Sequence, residues 1–404
     1  MDKKYIVLIG ILVILSGCVA DEKPSPQKRP QIVTLKSPAI DSCGEPFLYT
    51  DKNGSVYMSW IEKNNDNYTL KFSMIKNDSS STPVTIASGR NWFVNWADYP
   101  VICSGGNDDM FACYLEKSDS GAYTYDIKYV TSLNGGRSWT NPKFLNEDGR
   151  KAEHGFVSVL PYKNRYFVSW LDGRNTVDGD SSSHHAHHGQ MTLRGAFITT
   201  DGQKQDECEL DNRVCDCCQT TVAITAAGPV VVYRDRSEDE TRDMGIVRLT
   251  SSGWTKPVII HADKWKIEGC PVNGPRAEAI GNNLGVAWFT AAHDSGSVKA
   301  AFSDDGGGTF MPPVQVNDLS ATGRVDLVML DPHTAMVSWM EGSVIKARKI
   351  KSDGSADASF VVAESSAARS SGFPQMTKAG KQLYFAWTDS KTKSVRLASL
   401  VIEE

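Results

Sequence analysis

One short strand-like segment recurs seven times along the chain, at intervals of 48 to 63 residues. Each copy has four apolar or small residues followed by an aromatic residue, usually with an acid two places later. The aromatic residues are Trp60, Tyr114, Trp170, Tyr233, Trp288, Trp339 and Trp387. A fixed period of this size, built from strand-like segments and short turns, is typical of a β-propeller, in which each repeat forms one blade. The repeat therefore predicts an all-β fold, a seven-bladed β-propeller of four-stranded antiparallel blades, with six blades as the alternative.

The strands around each aromatic copy predict how the ring closes. An apolar stretch precedes every copy and a third strand follows it, so each repeat supplies antiparallel neighbours. The last repeat ends with its third strand at 394–401, whereas residues 31–35 precede the first blade and have no partner of their own. Placing 31–35 as the outer strand of the last blade removes the open edges of the sheets. The propeller domain is therefore predicted to span residues 31–404.

The beginning of the chain reads as a secretion signal. Lys3 and Lys4 precede an apolar run over 5–15 that is too short to span a membrane. Leu15, Ser16, Gly17 and Cys18 resemble a bacterial lipobox, which implies that 1–17 are removed and that Cys18 becomes a lipidated N-terminus. Residue 19 is valine rather than aspartate, which by the same resemblance favours the outer membrane.

Residues 18–30 are predicted to be a tether between the lipid and the propeller. Residues 21–30 read DEKPSPQKRP, a charged and proline-rich run that cannot form a core. The expected partner is thus a membrane, contacted through the lipid anchor. A formal net charge of −5 argues against nucleic-acid binding, which requires a basic surface.

Two segments between third and fourth strands carry a recognisable turn motif. Residues 132–139 read SLNGGRSW and residues 303–310 read SDDGGGTF. Both resemble the Asp box, Ser-x-Asp-x-Gly-x-Thr-Trp, of the sialidase-like superfamily of β-propellers with bacterial neuraminidase repeats. The resemblance implies a structural turn on the face opposite the active side of that family.

The catalytic part of the sialidase pattern is not matched where it can be checked. The resemblance implies an arginine triad that begins in the first blade, yet residues 43–47 read CGEPF and no arginine occurs between Arg29 and Arg90. The segment 215–220, CDCCQT, resembles instead a subgroup of sialidase-like lipoproteins. If the chain is nevertheless a sialidase, Asp98 is the candidate acid/base, Tyr99 or Tyr233 with Glu45 the candidate nucleophile pair, and Arg234, Arg236 and Arg324 the carboxylate ligands.

The candidate binding residues share one face of the predicted propeller. The first strand of a blade begins, and the second ends, on the same side, and sites form where such loops converge on the channel mouth. The candidates on this rim are Arg174, Arg234, Asp235, Arg236, Asn273 and Arg324. Arginine offers a planar fork to an anionic sugar, although salt bridges with rim acids are the competing interpretation. The recurring acid after the aromatic residue is interpreted as a cap for loop amides.

Histidines and cysteines cluster near the third and fourth blades. Four of the eight histidines, His184, His185, His187 and His188, lie in one loop, and His154 is predicted on the neighbouring rim. The next first strand opens with Cys215, Cys217 and Cys218. Imidazole and thiolate together suit a transition metal, and thiolate favours copper(I) or zinc. The sequence therefore offers a copper or zinc site as one hypothesis.

Oxidation is the competing account of the cysteines. Eight cysteines remain besides Cys18, an even number in a compartment where disulfides persist. Cys103 and Cys113 flank a hairpin of the second blade and are the first predicted disulfide. Pairing of Cys208 with Cys215, Cys43 with Cys270 and Cys217 with Cys218 would use the rest. Disulfides, a metal site and free thiols stay open at this point.

The sequence thus favours a membrane-anchored propeller that binds a small molecule, a glycan or a metal at the rim of its channel. An exo-α-sialidase or related hydrolase of anionic sugars is the first alternative. A platform for protein interactions is the second.

Overall fold

The structure, a computed structural model, describes Met1 and residues 30–177 and 189–402. The described chain forms seven antiparallel sheets arranged as the blades of a propeller, which confirms the predicted fold. Strand β1 (Val33–Leu35) comes first in the chain but belongs to the last blade. The described residues contain one helix, a single 3-10 turn at Arg369–Ser371. None of the described helical residues forms a segment long and apolar enough to cross a bilayer.

Each blade runs from an inner first strand to an outer last strand. Blade 1 comprises β2 (Cys43–Thr50), β3 (Val56–Asn64), β4 (Asn67–Lys76), β5 (Ser79–Ser80) and β6 (Val84–Gly89). Blade 2 comprises β7 (Val101–Ser104), β8 (Met110–Lys117), β9 (Tyr125–Ser132) and β10 (Lys143–Phe144), and blade 3 comprises β11 (His154–Tyr162), β12 (Arg165–Asp172), β13 (Thr192–Thr199) and β14 (Lys204–Asp211). Blade 4 comprises β15 (Thr221–Ile224), β16 (Pro229–Arg234), β17 (Met244–Thr250), β18 (Gly253–Trp254) and β19 (Val258–His261).

Blades 5 to 7 follow the same order. They comprise β20 (Arg276–Ile280), β21 (Asn283–Thr290), β22 (Ser297–Ser303) and β23 (Val314–Gln315); β24 (Gly323–Asp331), β25 (Thr334–Glu341), β26 (Val344–Lys351) and β27 (Phe360–Glu364); and β28 (Gln375–Ala379), β29 (Gln382–Asp389) and β30 (Ser394–Val401), completed by β1.

The N-terminal strand closes the ring as the sequence predicts. Strand β1 pairs with β30 in antiparallel register, with Thr34 opposite Ala398. The last blade therefore joins the first and last parts of the described chain in one sheet. This closure covers the outer edge of β30, which would otherwise be open to pairing with another chain.

The recurring tryptophan explains the acid that follows it two residues later. Side chains two apart on a strand lie on the same face, and the indole Nε1–H donates to that acid in three blades. The pairs are Trp60 with Glu62 (2.9 Å), Trp170 with Asp172 (2.9 Å) and Trp339 with Glu341 (3.3 Å). In blade 5, Thr290 replaces the acid, and Asp263 at the end of blade 4 accepts the Trp288 indole proton at 2.7 Å. The acids also accept loop amides, as Asp172 does from Arg174, so the predicted capping is a secondary role.

The apolar core lies between neighbouring blades. Four of the repeat tryptophans, Trp60, Trp170, Trp288 and Trp339, are fully buried, and each lies in a cluster that spans two or more adjacent blades. A blade is apolar on both faces because it packs on a neighbour on each side. The apolar core is therefore divided into layers between neighbouring blades around the ring, rather than gathered at one centre.

The Asp boxes form turns on the face away from the rim. In the second one, Asp305 accepts the backbone N–H of Thr309 at 3.0 Å and its hydroxyl at 2.9 Å, while Ser303 accepts Gly307 N–H at 2.8 Å. Gly307 has a φ of +86° and contacts Ile246 of the preceding blade, which leaves no space for a Cβ. These turns stabilise the fold, as the resemblance implies.

Candidate functional site

The beginnings of inner strands and the ends of second strands meet on one face, called the rim below. The register pairs Cys43 with Glu62 in blade 1 and His154 with Asp172 in blade 3. Near the start of several inner strands, two residues lie opposite a single residue of the second strand. These irregularities in pairing occur at Gly44/Phe47, Gly155/Ser158 and Gly323/Asp326. These bulges turn backbone amides toward the preceding blade and create the polar contacts around the channel.

Polar side chains join adjacent blades at these bulges. Asp98 of blade 2 accepts the Phe156 amide of blade 3 at 2.7 Å, and Asn273 of blade 5 accepts the Arg324 amide of blade 6 at 2.7 Å. A Cβ on Gly155 would lie 1.9 Å from the Asp98 carboxylate, so only glycine admits the contact. Asp98 and Asn273 therefore act first as connections between blades.

A segment of blade 2, Trp96–Tyr99, crosses the mouth of the channel; it is called the channel segment here. Trp96 stacks on Phe373 of blade 7 with ring centroids 5.6 Å apart. The Ala97 carbonyl accepts the Gln219 side-chain amide of blade 4 at 2.6 Å. The rim side of the channel is thus occupied by the protein's own chain.

Beneath the channel segment lies a cavity of about 310 Å³ lined by the inner strands. Its charged lining includes Arg276, which lies 3.6 Å from the Asp326 carboxylate and donates to the Tyr99 hydroxyl and to Gln375. Burial raises the pKa of Glu278, also in the lining, to about 7. The cavity is polar, and its charged groups are already bonded to one another or to the backbone.

Tyr125 joins two buried carboxyl groups on the rim side of the cavity. Its hydroxyl oxygen lies 3.0 Å from an oxygen of Asp98 and 3.0 Å from an oxygen of Glu153. Burial raises the pKa of Asp98 to about 7 and that of Glu153 to about 8, against the hydrogen bonds that favour the ionised forms. One phenolic proton cannot serve two carboxylates, so at neutral pH the pair shares an additional proton.

Four cysteines come together at the top of blade 4 and are called the four-thiol cluster: Cys215, Cys217, Cys218 and Cys270. The Cys215 Sγ lies 3.5 Å from the Cys218 Sγ and 3.9 Å from the Cys217 Sγ. All three sulfurs lie within 4.8 Å of one another, and Cys270 interacts electrostatically with Cys217. The first three precede β15 and Cys270 precedes β20, so two adjacent inter-blade loops form the cluster.

Arginines surround the four-thiol cluster with positive charge. Arg242 Nη1 donates to the Cys215 Sγ at 3.2 Å. Burial raises the pKa of Cys215, but hydrogen bonds with Cys217 and Cys218 and the charge of Arg234 outweigh burial, so this pKa lies well below the ordinary value for a thiol. The pKa of Cys270 is also lowered, chiefly by its hydrogen bond with Cys217. The pKa values of Cys217 and Cys218 are instead raised, that of Cys217 chiefly by its hydrogen bond with Cys215 and that of Cys218 chiefly by burial. Without a metal the negative charge therefore rests on Cys215 and Cys270, and a thiolate is the form that binds metals.

His154 lies in a separate group of charged side chains. Its Nε2 is 3.0 Å from Asp148 and 3.7 Å from Asp172, and its Nδ1 is 3.2 Å from the Tyr125 carbonyl. Burial lowers the pKa of His154, but the neighbouring carboxylates outweigh burial and raise it. Arg174 pairs with both acids, so the group is an internally neutralised ion network. The described contacts do not join His154 to the predicted cysteine ligands.

The predicted ligand-binding arginines are saturated by protein groups. Arg234 donates to the carbonyls of Arg242 (2.7 Å), Asn273 (2.7 Å) and Phe289 (2.8 Å). Arg324 donates to Ser371 at 2.7 Å and to three loop carbonyls, those of Gly372, Ala367 and Ala368.

Arg174 and Arg236 are held instead by acids. Arg174 pairs with Asp172 and Glu207, and Arg236 pairs with Glu240 and Asp216. The salt-bridge interpretation therefore describes these two residues. Asp235 joins the network of blade 4 through its backbone amide, which donates to the Asp243 carbonyl at 2.9 Å.

The predicted catalytic residues are not assembled into one site. Asp98 and Tyr99 lie at the channel, where the Tyr99 hydroxyl contacts Arg276. Tyr233 is buried in the second strand of blade 4 and donates to Asp211 at 2.5 Å, which corrects its placement at the rim opening. Burial raises the pKa of Glu45, in blade 1, to about 7. No described contact joins Glu45 to Tyr99 or Tyr233.

The predicted disulfides are not confirmed, since the eight cysteines among the described residues are free thiols. The register pairs Cys113 with Val101 and Cys103 with Phe111, so the two cysteines are diagonal neighbours. Diagonal Cα atoms lie about 7–8 Å apart, which exceeds the span of a relaxed disulfide.

The other pairings are separated as well. Cys43 packs between blades 1 and 7, where it contacts Ile40 and Val395, far in the ring order from Cys270. Cys208 lies in the outer strand β14, opposite Gly195. The predictions for Cys18, His184, His185, His187 and His188 fall outside the described residues.

Sequence reasoning missed three residues of this region. Cys270 is predicted as a disulfide partner of Cys43 and not as a metal ligand, although its position before the first strand of blade 5 places it beside the cysteines of blade 4. Arg242 lies in a loop between second and third strands, and the sequence gives no sign that it faces sulfur. Arg276 lies in the inner strand β20, where every second side chain faces the channel, and this pattern could have identified it.

Comparison with known proteins shows the fold only. No protein-family model and no curated protein matches this chain. Among solved structures, polysaccharide lyase Uly1 is 10% identical over 89% of this chain and 90% of its own, with a TM-score of 0.53. A PL25 ulvan lyase bound to -[GlcA(1-4)Rha3S]- is 13% identical over 76% and 79%, with a TM-score of 0.49. The Hadza microbial sialidase Hz136 is 12% identical over 74% and 63%, with a TM-score of 0.45. Sialidase-like and polysaccharide lyase propellers are thus structural neighbours of this chain.

Proposed function

We propose that this protein binds a thiophilic metal ion, zinc or copper(I), through the four-thiol cluster at the rim of its propeller. The spacing of the sulfurs carries the proposal. Four thiolates at about 2.3 Å around a tetrahedral zinc lie about 3.8 Å from one another. The Cys215 sulfur lies 3.5 Å from that of Cys218 and 3.9 Å from that of Cys217, and these separations bracket this value. Cys270, which interacts with Cys217, would be the fourth ligand.

The charge around the cluster also supports a bound cation with several thiolates. Four thiolates and one divalent ion leave two negative charges, and two charges need compensation in a buried site. Arg242 contacts Cys215, and the positive charge of Arg234 acts on both Cys215 and Cys218. The two guanidinium groups offset part of this charge, since Arg242 also pairs with Glu240 at 2.8 Å. With copper(I), three buried thiolates leave the same charge of −2.

Metal titration of tag-free, metal-depleted and reduced protein tests the proposal. Competition with a chromophoric chelator should give submicromolar affinity for zinc or copper(I), and X-ray absorption should show a shell of sulfur at about 2.3 Å for zinc. We expect Cys217→Ser to weaken binding at least 100-fold. Cys208→Ser removes a half-buried thiol outside the cluster and should leave the affinity unchanged. Affinity weaker than micromolar in the parent protein, or equal affinity in Cys217→Ser, would contradict the proposal.

A variant that replaces His184, His185, His187 and His188 by alanine separates the two predicted ligand sets. Retained affinity assigns the metal to the thiols alone. A loss comparable to that of Cys217→Ser adds the histidine loop to the site. In either case, Cys217→Ser tests the role of the cysteines separately.

An exo-sialidase has less support from the arrangement of side chains. The channel segment occupies the mouth where a sugar would enter, and Arg234 and Arg324 donate to backbone carbonyls rather than to an open pocket. The fold alone favours no substrate. We therefore expect a fluorogenic sialoside to remain intact, and measurable turnover that is lost in Asp98→Asn would favour the hydrolase instead.

We further propose that the propeller is anchored to the bacterial envelope through Cys18, with the outer membrane favoured. The lipobox-like segment and the proline-rich tether support this proposal. Expression in cells given a labelled fatty acid should label the protein, and Cys18→Ser should abolish the label and release the protein from the membrane fraction. An unlabelled parent protein would contradict the anchor without affecting the metal proposal.

A further inference from the structure

The four thiols differ in their distance from solvent. Cys215 and Cys218 are buried, with 1% and 2% of their surface exposed, whereas Cys217 is half-buried and Cys270 is exposed. The Cys217 sulfur lies 3.9 Å from that of the buried Cys215, and Cys217 interacts electrostatically with the exposed Cys270. The sulfurs therefore form a continuous line from the surface to the interior.

The two innermost sulfurs have the spacing of a redox pair. Two residues, Asp216 and Cys217, separate Cys215 from Cys218, as in the Cys-x-x-Cys motif of thiol–disulfide oxidoreductases. Their Sγ atoms are 3.5 Å apart, about 1.5 Å more than a disulfide bond. A rotation of the side chains can close this distance without moving the blades. Arg242, 3.2 Å from the Cys215 Sγ, places positive charge against the sulfur that must react as an anion.

We infer that the four-thiol cluster is also a thiol–disulfide relay, in which Cys270 and Cys217 exchange with an external disulfide and Cys215 and Cys218 hold the resulting bond. The co-reactant is a disulfide of a small thiol or of a dithiol protein. The redox part of this inference stands without a metal. Its consequence for the metal rests on the proposed function.

The exchange balances in two-electron steps. The Cys270 thiolate attacks one sulfur of the external disulfide, which forms a mixed disulfide and releases the other sulfur as a thiolate. The Cys217 thiolate then attacks the Cys270 sulfur and displaces the second external thiolate. The external disulfide has gained two electrons and, from the two protein thiols, two protons. The protein now holds a Cys217–Cys270 disulfide.

Two internal exchanges move this bond inward without further electrons. The Cys215 thiolate attacks Cys217 and releases Cys270, and Cys218 then attacks Cys215 and releases Cys217. Each step joins neighbouring sulfurs, at 3.9 Å for Cys215 and Cys217 and at 3.5 Å for Cys215 and Cys218. The product removes two of the four proposed metal ligands. Oxidation should therefore expel the metal, and reduction should restore the site.

The experiment uses the whole protein without metal, equilibrated in buffers of reduced and oxidised glutathione, alkylated and mapped by mass spectrometry. We expect a Cys215–Cys218 disulfide at equilibrium in the parent protein. Cys218→Ser should accumulate the Cys215–Cys217 disulfide, and Cys270→Ser, which alters an exposed loop residue, should oxidise at least tenfold more slowly. Cys43→Ser removes a buried thiol elsewhere and should oxidise at the rate of the parent.

Two outcomes overturn the relay: thiols that stay reduced across the buffers, or oxidation of Cys270→Ser at the parent rate. Thermal unfolding of each variant shows whether it is folded before its thiols are mapped. Metal affinity is measured separately on reduced protein. If the thiols exchange but the reduced protein binds no metal, only the proposed function is contradicted. If the protein binds metal tightly but its thiols do not exchange, only the relay is contradicted.

Discussion

The buried carboxyl group of Asp98 should make the protein less stable as the pH rises from 5 to 8. Burial raises the pKa of this group from 3.8 to about 7 in the folded state. The folded protein therefore binds more protons than the unfolded chain over this range, and the free energy of unfolding falls with increasing pH. Integrating the two titrations between pH 5 and 8 gives a loss of about 2–3 kcal/mol from this one side chain.

Asp98→Asn isolates this contribution. Asparagine keeps an oxygen for the Phe156 amide and adds an N–H₂ that can donate to the Tyr125 oxygen, but it does not ionise. We expect the stability of the variant to vary less with pH than that of the parent, by about 2–3 kcal/mol between pH 5 and 8. Urea unfolding of reduced, metal-free protein, followed by tryptophan fluorescence, measures this difference.

Asp305→Asn provides the matched control. Burial raises the pKa of Asp305, but hydrogen bonds from Thr309 and Ser303 outweigh burial and lower the pKa to about 2. Its stabilising contribution is complete above the unfolded pKa and is lost only in acid, so between pH 5 and 8 the curve of this variant should lie parallel to that of the parent. Parallel curves for Asp98→Asn and the parent would refute the reasoning about Asp98.

Three further substitutions, with Gly54→Ala as a control for the first, test packing and charge. Gly155→Ala should lower the free energy of unfolding by about 3 kcal/mol because its Cβ would meet the Asp98 carboxylate between two blades. Gly54→Ala, in open space at a φ of +79°, should lower it by about 1 kcal/mol. Equal losses in urea unfolding would contradict this reasoning. Asp263→Ala should cost about 1–3 kcal/mol because it leaves the Trp288 indole N–H buried and unpaired, and an unchanged urea midpoint would argue against that role. Arg242→Leu should weaken metal binding about tenfold in the chelator competition, and unchanged affinity would show that this guanidinium does not support the thiolates.

The architecture was predictable because each blade repeats the same kind of buried strand. In blades 1, 3 and 6 this strand ends with a tryptophan whose indole donates to the acid two residues later, so both residues recur in the sequence. Blade 5 shows the limit of the pattern. Its acid comes from Asp263 in the neighbouring blade, and only the packed ring reveals that Trp288 has a partner.

The site was predictable in part. The position of Cys215, Cys217 and Cys218 before an inner strand places them on the rim, and the ring order then brings Cys270 beside them. The arginines could not be assigned in this way. A guanidinium near a bulge can donate to exposed backbone carbonyls as well as to a ligand, and Arg324 does so because the chain before blade 7 turns its carbonyls inward.

The channel segment ties the completion of folding to the synthesis of the last blade. Trp96 needs Phe373, and Ala97 needs Gln219, which is 122 residues further along the chain. Such distant contacts form late and slowly. A nascent chain that has produced only its early blades therefore presents an unsatisfied aromatic segment at the axis, together with an N-terminal strand that has nothing to pair with. Closure of the ring therefore requires the last blade, so truncation anywhere before β30 should leave an open, aggregation-prone chain rather than a smaller propeller.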